Sequence, residues 1–167
     1  MAQQRPVPPG TWLTDDEQRS WRAYLAATRL IQDALEEDLG GHGLTLGEYE
    51  ILAVVSETEG RRIRMSVLAG SVVQSRSRLT HTASRLEKRG LVRRRPAQDD
   101  GRGVELWLTD AGADLLDEVA PVHVASVRHH LIDHLGPEGF RRLGTAMAHV
   151  RDSITSERGP GAPGRAT

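Results

Sequence analysis

The periodicity of the chain changes between residues 76 and 108, and this change limits the folds open to it. In "RSRLTHTASRLEKRG" apolar residues recur at helical spacing until Gly90, a residue type that commonly follows the last turn of a helix. The next two segments, about 91–95 and 103–108, have strand character, and in the second of them valine or leucine occupies every other position. The polar loop "AQDDGRG" joins them. The pattern predicts a helix followed by a β-hairpin.

Capping signals predict the helices that come before this region. The segments "TDDE" and "TLGE" are capping boxes, in which a threonine and the glutamate three residues later satisfy each other's backbone N–H groups. They predict helices over about 15–39 and 46–57. A short extended stretch is expected around Ile63. Ser66 is the predicted cap of a short helix. Ser75 or a neighbouring residue is the predicted cap of the helix that ends at Gly90.

Two long helices are predicted after the hairpin. The first spans about 110–134, with a bend at Pro121, which removes one ladder hydrogen bond. "GPEG" ends it and places Pro137 at the first position of a final helix, to about 156. We therefore expect a mainly α fold with a small β-hairpin wing, that is, a winged helix-turn-helix flanked by long N- and C-terminal dimerisation helices. The predicted divisions are a flexible arm (1–13), two dimerisation segments (14–44 and 110–156), a DNA-binding domain (45–109) and a disordered tail (157–167).

Charge is distributed unevenly along the chain. Residues 61–102 contain 12 Arg or Lys and three Asp or Glu, a balance of +9, whereas the rest of the chain has a balance of −10. Such a division indicates a polyanion-binding surface attached to an acidic scaffold. The alternative is that the basic face is only solvated, or that it binds an acidic protein partner.

The predicted helix over residues 76–89 has one thin apolar face, formed by Leu79, Thr82, Ala83 and Leu86. Short hydroxyl side chains on the opposite face let a backbone approach the major groove, and flanking arginines reach guanine edges or phosphates. A merely solvated helix would interleave acids with these arginines, yet only Glu87 is available. The helix is therefore predicted to bind DNA. Its outward residues are Ser77, His81, Ser84 and Lys88, with Arg78, Thr80 and Arg85 beside them.

Three stretches together resemble the MarR family of transcriptional regulators: "RMSVLAGSV", "SRLTHTASRLEKRGLVRRR" and "DDGRGVELWLTDAG". The resemblance covers roughly residues 15–156 and is strongest over 64–112. It implies a homodimeric regulator, by family habit a repressor, that binds double-stranded DNA at a pseudo-palindromic operator. Asp100 and Arg102 match the wing Asp and the minor-groove Arg of the family. The family often has another Arg where this chain has Gly101, and Arg93, Arg94 and Arg95 are expected to replace its phosphate contact.

The residues predicted to contact DNA lie on the helix over residues 76–89, which the resemblance makes the recognition helix, on the segments beside it and on the wing. Its members are Arg64, Ser75, Arg76, Ser77, Arg78, Thr80, His81, Ser84, Arg85, Lys88, Arg93, Arg94, Arg95, Asp100 and Arg102.

The resemblance also implies release by a small aromatic or anionic ligand, bound between the dimer helices and the DNA-binding lobe. The residues expected to line that site are Trp21, Tyr24, Leu25, Tyr49 and His123, and the alternative for each is ordinary core. The chain contains no cysteine, which excludes thiol-based sensing.

Neither a metal nor an enzymatic function is favoured. His130 and His134 are four residues apart and could form a metal pair, but histidines near a helix C-terminus are also favoured as cations, and we predict no metal or other cofactor. No phosphate-binding glycine loop or hydrolase motif is present, so a non-enzyme is predicted. The first residues lack an apolar leader, and the expected location is the cytoplasm.

Overall fold

The computed structural model describes residues 12–72, 74–97 and 103–158. Within them the helices are α1 (Asp15–Gly40), α2 (Leu46–Ser56), α3 (Met65–Ser71), α4 (Arg76–Lys88), α5 (Asp110–Val127) and α6 (Asp133–Arg158). The strands are β1 (Arg62–Arg64), β2 (Val92–Pro96) and β3 (Val104–Leu108). A 3-10 turn (Glu59–Arg61) precedes β1, and a π-helical turn (Arg128–Ile132) joins α5 to α6. The predicted mainly α fold class is confirmed.

Local capping explains where most helices begin. Both predicted capping boxes are present, and the backbone N–H groups of Thr14 and Thr45 donate to Glu17 and Glu48 at 2.8 and 2.9 Å. The Ser75 hydroxyl caps α4 as predicted. The expected cap at Ser66 is wrong. Helix α3 begins at Met65, two residues before the start that a Ser66 cap implies, because strand β1 runs directly into it, and its N-cap residue, Arg64, makes no side-chain capping bond.

The wing belongs to a three-stranded antiparallel sheet in the order β1-β3-β2. Ile63 of β1 and Arg94 of β2 both lie opposite Leu106, so the predicted hairpin gains a third strand from the stretch around Ile63. The alternation expected in β3 also differs, because Val104 is exposed and Glu105 is buried. The register places Glu105 between two arginines, one on β1 and one on β2, and its carboxylate accepts a hydrogen bond from Trp107 Nε1 at 3.1 Å.

One apolar core joins the C-terminal part of α1 to α2, α3, α4, the sheet and the first half of α5. Leucines supply most of it, as the scarcity of aromatic residues requires. At Gly112, in the first turn of α5, an added Cβ would lie 2.1 Å from the Leu91 carbonyl oxygen, so the helix is in direct contact with the backbone that connects α4 to β2. The largest fully buried side chains among the described residues are Leu39, Leu44, Ile51, Leu52, Val55, Leu68, Leu79, Leu86, Val92, Leu106 and Val119.

The long helices contribute little to this core. Only Leu35 and Leu39 of α1 are buried. The predicted break at "GPEG" is present: Gly136 adopts φ 67°, and α6 changes direction there. Pro121 lies inside α5, which ends at Val127 rather than near 134 and continues as the π-helical turn. The apolar side chains left exposed on α1 and α6 include Trp21, Tyr24, Leu25, Leu30, Met147, Val150 and Ile154.

None of the helices within the described residues is both long enough and apolar enough to cross a membrane.

Candidate nucleic-acid interface

Helix α4 presents the two faces that its sequence predicts. Leu79, Thr82, Ala83 and Leu86 are buried against the core. The opposite face is open to solvent, and the exposed residues there and along its flanks are Arg76, Ser77, Arg78, Thr80, His81, Arg85 and Lys88. A row of short polar side chains between basic flanks can enter a major groove.

Gln74 connects α4 to the first turn of α2. Its Nε2 donates to the Gly47 carbonyl oxygen at 3.0 Å and to Glu50 Oε2 at 3.3 Å. Its Oε1 accepts from the hydroxyl of Thr82 at 3.2 Å. An added Cβ at Gly47 would lie 3.0 Å from Gln74 Nε2, so the Gln74 side chain would have to shift slightly to accommodate any larger residue. Gln74 could not be identified from the sequence, since a lone glutamine in a turn gives no pattern.

Glu48 forms a second connection between these helices. Its side chain is only 6% exposed, and its two carboxylate oxygens lie 3.4 Å from Arg85 Nε and 3.7 Å from Arg89 Nη1. The same carboxylate accepts the Thr45 backbone N–H of the capping box. Arg85, predicted to bind DNA, is thus paired within the protein. The sequence identified Glu48 only as a helix cap, and the four-residue spacing of Arg85 and Arg89 was the signal for its second role.

Strand β2 is tied to α4 through Arg94. Its backbone N–H and its Nε donate to the two oxygens of the Glu87 carboxylate at 2.8 and 3.0 Å, and its Nη2 donates to the Ser84 hydroxyl. Ser84 and Arg94 were both predicted to contact DNA. The structure directs them toward each other, while Arg93 remains exposed.

The sheet holds two further arginines against Trp107. The guanidinium carbons of Arg62 and Arg95 lie 4.9 and 5.0 Å from the centre of its ring, within the range of cation–π contacts. Arg64 lies beside the wing, because a Cβ at Gly103 would be 3.3 Å from Arg64 Nη1. Asp100 and Arg102 lie outside the described residues, as does Gly101.

A cavity of about 590 Å³ opens between α1, α2, α5 and the start of α4. Two of the five predicted ligand-binding residues, Tyr49 and His123, line it with ring centres 4.3 Å apart. The other three lie elsewhere: Trp21 and Tyr24 stack on each other at 5.7 Å on the exposed part of α1, beside exposed Leu25.

The two rings of this cavity are uncharged near neutral pH. Burial, together with the charge of Glu57, raises the pKa of Tyr49, and burial lowers the pKa of His123. No described residue forms a hydrogen bond with His123 Nδ1. The rings therefore form an aromatic wall without formal charge.

A groove of about 320 Å³ lies in the same region, between α4 and the start of α2. It shares part of its wall with the cavity. The residues lining both are Glu36, Gly47, Gln74 and Arg78.

The histidines of the α5–α6 junction form no metal site with the other described residues, where no group of three or more His, Asp or Glu is arranged to hold an ion. The rings of His129 and His130 meet edge to face, with centres 4.7 Å apart. His42 Nδ1 lies 3.8 Å from a Glu118 oxygen.

Comparisons with known proteins agree with this geometry. The family model described as "MarR family" matches residues 42–103. The transcriptional regulator PecS from Dickeya dadantii is 33% identical over 130 residues, 77% of this chain and 78% of that protein. The crystal structure of AbsC, a MarR family transcriptional regulator from Streptomyces coelicolor, is 47% identical with a TM-score of 0.82, covering 86% of this chain and 97% of that one. That of Sco3205, a MarR family regulator from the same organism in complex with DNA, is 40% identical with a TM-score of 0.83, covering 86% and 94%.

Proposed function

Because the chain belongs to the MarR family of transcriptional regulators, we propose that it is a homodimeric repressor that binds a pseudo-palindromic operator through α4 and the wing. The observation that carries this proposal is the division of α4 into a buried apolar face and an exposed face of short polar side chains with basic flanks. Sequence is read at base edges, whereas basic flanks supply affinity and orientation. A regulatory role without catalysis and a cytoplasmic location complete the proposal.

The proposed contacts fall into two classes. The base-reading class is Arg76, Ser77, Arg78, Thr80 and His81, which lie on the exposed face of α4 or at its start. The phosphate and minor-groove class is Arg64, Ser75, Lys88, Arg93, Arg95, Asp100 and Arg102. Ser84, Arg85 and Arg94 belong to the predicted set, but their described partners lie within the protein.

Dimerisation is proposed through the long helices, residues 14–44 and 110–156, which flank the DNA-binding domain 45–109. Apolar side chains exposed on a single chain need a partner surface. On α6, Leu143, Met147, Val150 and Ile154 follow one another at helical spacing and form one stripe, with the last three at least 37% exposed. Replacing Val150 with Glu should shift light scattering toward a monomer, whereas Thr145→Glu, on the opposite face of α6, should leave the dimer intact.

A ligand is proposed to enter the cavity beside Tyr49 and His123 and to release DNA. Four carboxylates line it against one guanidinium, that of Arg78, which favours an aromatic ligand that is neutral or positively charged. A thermal-shift screen of aromatic amines against aromatic acids tests the charge class. Stabilisation by the acids alone would contradict it.

An operator titration over a series of salt concentrations tests the central proposal. The logarithm of affinity should fall linearly with the logarithm of salt, with a slope of about −0.9 for each phosphate contacted. The probe is the DNA upstream of the chain's own reading frame, with a scrambled duplex of equal length as control. A salt response that is flat, or equal affinity for both duplexes, would contradict sequence-specific binding and favour a module that binds an acidic protein.

A further inference from the structure

We infer that Glu48 is a positioning residue for DNA selectivity, which holds Arg85 and Arg89 on the protein and so keeps them from binding phosphates indiscriminately. This inference rests on the proposed DNA binding by α4. The carboxylate itself faces α4 from the first turn of α2 and is nearly inaccessible to solvent, so its effect on DNA must pass through the two arginines.

The geometry gives one carboxylate two tasks. One of its oxygens, Oε2, receives the Thr45 backbone N–H at 2.9 Å and closes the capping box. Oε1 faces Arg85 Nε at 3.4 Å, and Oε2 also faces Arg89 Nη1 at 3.7 Å. Thr45 joins the same cluster, since Arg85 Nη2 lies 3.5 Å from its Oγ1.

Arg85 lies in the last turn of α4, and Arg89 is the C-cap residue one turn later, on the side that turns toward α2. Each has a partly exposed side chain, 57% for Arg85 and 38% for Arg89, so each could reach solvent or a polyanion if the carboxylate did not hold it. A long cation freed from its partner adds affinity for any duplex, because a phosphate contact carries no sequence information. Holding these cations back therefore raises the contribution of base contacts relative to phosphate contacts.

The same pairing fixes the orientation of α4. Gln74 bonds to both Thr82 of α4 and Gly47 of α2. Glu48, the residue after Gly47, pairs with Arg85 and Arg89. The region of α4 is thus attached to the first turn of α2 at two places along its length. Two attachments on one helix resist its rotation, which a single one would not. The exposed face of α4 is thereby held toward the groove.

The chemistry of the capping box allows the two tasks to be separated. Glutamine serves at this position of a capping box as well as glutamate does, because its side-chain oxygen also accepts the backbone N–H. Glu48→Gln should therefore retain the start of α2 while removing the charge that holds the arginines. Glu17→Gln is the matched control, since Glu17 occupies the same position of the capping box on α1 but has no arginine partner among the described residues.

The experiment measures the salt dependence of binding to a non-specific duplex and to the operator. For Glu48→Gln the slope on the non-specific duplex should steepen by about 0.9 for one arginine released, or about 1.8 for two, and the specific-to-non-specific affinity ratio should fall. Adding Arg85→Gln should reverse at least one such step. Glu17→Gln should leave slope and ratio at their wild-type values.

Unchanged slope and ratio in a Glu48→Gln protein with wild-type thermal stability would overturn the inference. If that variant does not fold, Arg85→Gln alone decides: a slope unchanged from wild type supports the inference, and a slope shallower by about 0.9 overturns it, because Arg85 would then already contact a phosphate. Failure of the wild-type protein to bind any duplex would instead reject the proposed function.

Discussion

Arg94 and Glu87 form a two-point connection between the wing and α4, in which the Arg94 backbone N–H and Nε donate to separate oxygens of one carboxylate at 2.8 and 3.0 Å. One of these bonds comes from the backbone of β2, so the position of the strand, and not only that of a side chain, is set by α4. The third donor of Arg94 goes to Ser84, one turn earlier on the helix. These bonds therefore fix the position of the wing relative to α4.

We predict that Arg94→Ala lowers the free energy of unfolding by about 1.5 kcal/mol, the lower end for hydrogen bonds to charged groups, because both residues are partly exposed. Arg93→Ala is the matched control: its side chain is exposed, and the free energy should change by less than about 0.5 kcal/mol. Urea unfolding measures both. Equal effects of the two variants would show that the connection contributes nothing to stability.

Truncating Arg78 and truncating Lys88 should have different effects on DNA binding. Arg78→Ala should cost about 1–3 kcal/mol on the operator and relax the preference at one base position, because a guanidinium can bond a base edge at two points. Lys88→Ala, in the last turn of α4, should weaken all duplexes alike and reduce the salt slope by about 1. Titrations against single-base operator variants distinguish them. Uniform weakening by Arg78→Ala would assign this residue to the phosphates.

Gly112→Ala should destabilise the protein by about 3 kcal/mol, at the upper end of the range for overpacking. The new Cβ would meet the Leu91 carbonyl oxygen at 2.1 Å, and that oxygen cannot move freely because it accepts bonds from the backbone N–H and the hydroxyl of Thr109. Gly70→Ala, in α3, has no atom within 4 Å of its new Cβ and should raise stability by up to about 1 kcal/mol through helix propensity. Denaturant midpoints compare them, and a tolerated alanine at 112 would contradict the packing described.

Stability should depend on pH through His123. Burial lowers the pKa of His123 in the folded protein, so as pH falls the unfolded chain takes up the proton first, near the usual value of about 6.5. The contribution of His123 is thus fully present above that pH and is lost as pH falls toward the folded-state pKa. His123→Phe, which keeps an aromatic ring against Tyr49, should lose less stability than wild type between pH 7.5 and 5.5.

Urea unfolding at the two pH values measures this difference, with exposed His149→Gln as the control that should behave as wild type. A His123→Phe protein with the full wild-type pH dependence would contradict the assignment.

Features set by neighbours in sequence were predictable. Both capping boxes, the cap at Ser75, the break at Gly136 and the buried face of α4 follow from residues within one or two turns of each other. Local chemistry fixes these features, and tertiary contacts do not reverse them.

Features set by residues distant in sequence were not predictable. An extended stretch around Ile63 was predicted, but β1 is too short to show alternation, so its pairing with β3 could not be predicted. Glu48 is buried where Arg85 and Arg89 pair with it, and Glu105 is buried in the sheet, where its carboxylate accepts a bond from Trp107; a hydrophobic pattern reveals neither. In the site, the exposed face of α4 could be predicted from helical periodicity. The bonds and ion pairs that Ser84, Arg85 and Arg94 form with residues of other helices and strands could not.

The strand order β1-β3-β2 also has a consequence for synthesis of the protein on the ribosome. Strand β1 precedes α4, yet among the described strands it is hydrogen-bonded to β3 alone, which is made after both β1 and β2. The helices α3 and α4 therefore emerge inside a loop that stays open until Leu108 has left the exit tunnel, and a long-range pairing of this kind forms late. The core on which α4 packs, which includes Leu106 and Leu108 of β3, is therefore completed only after β3 has been made.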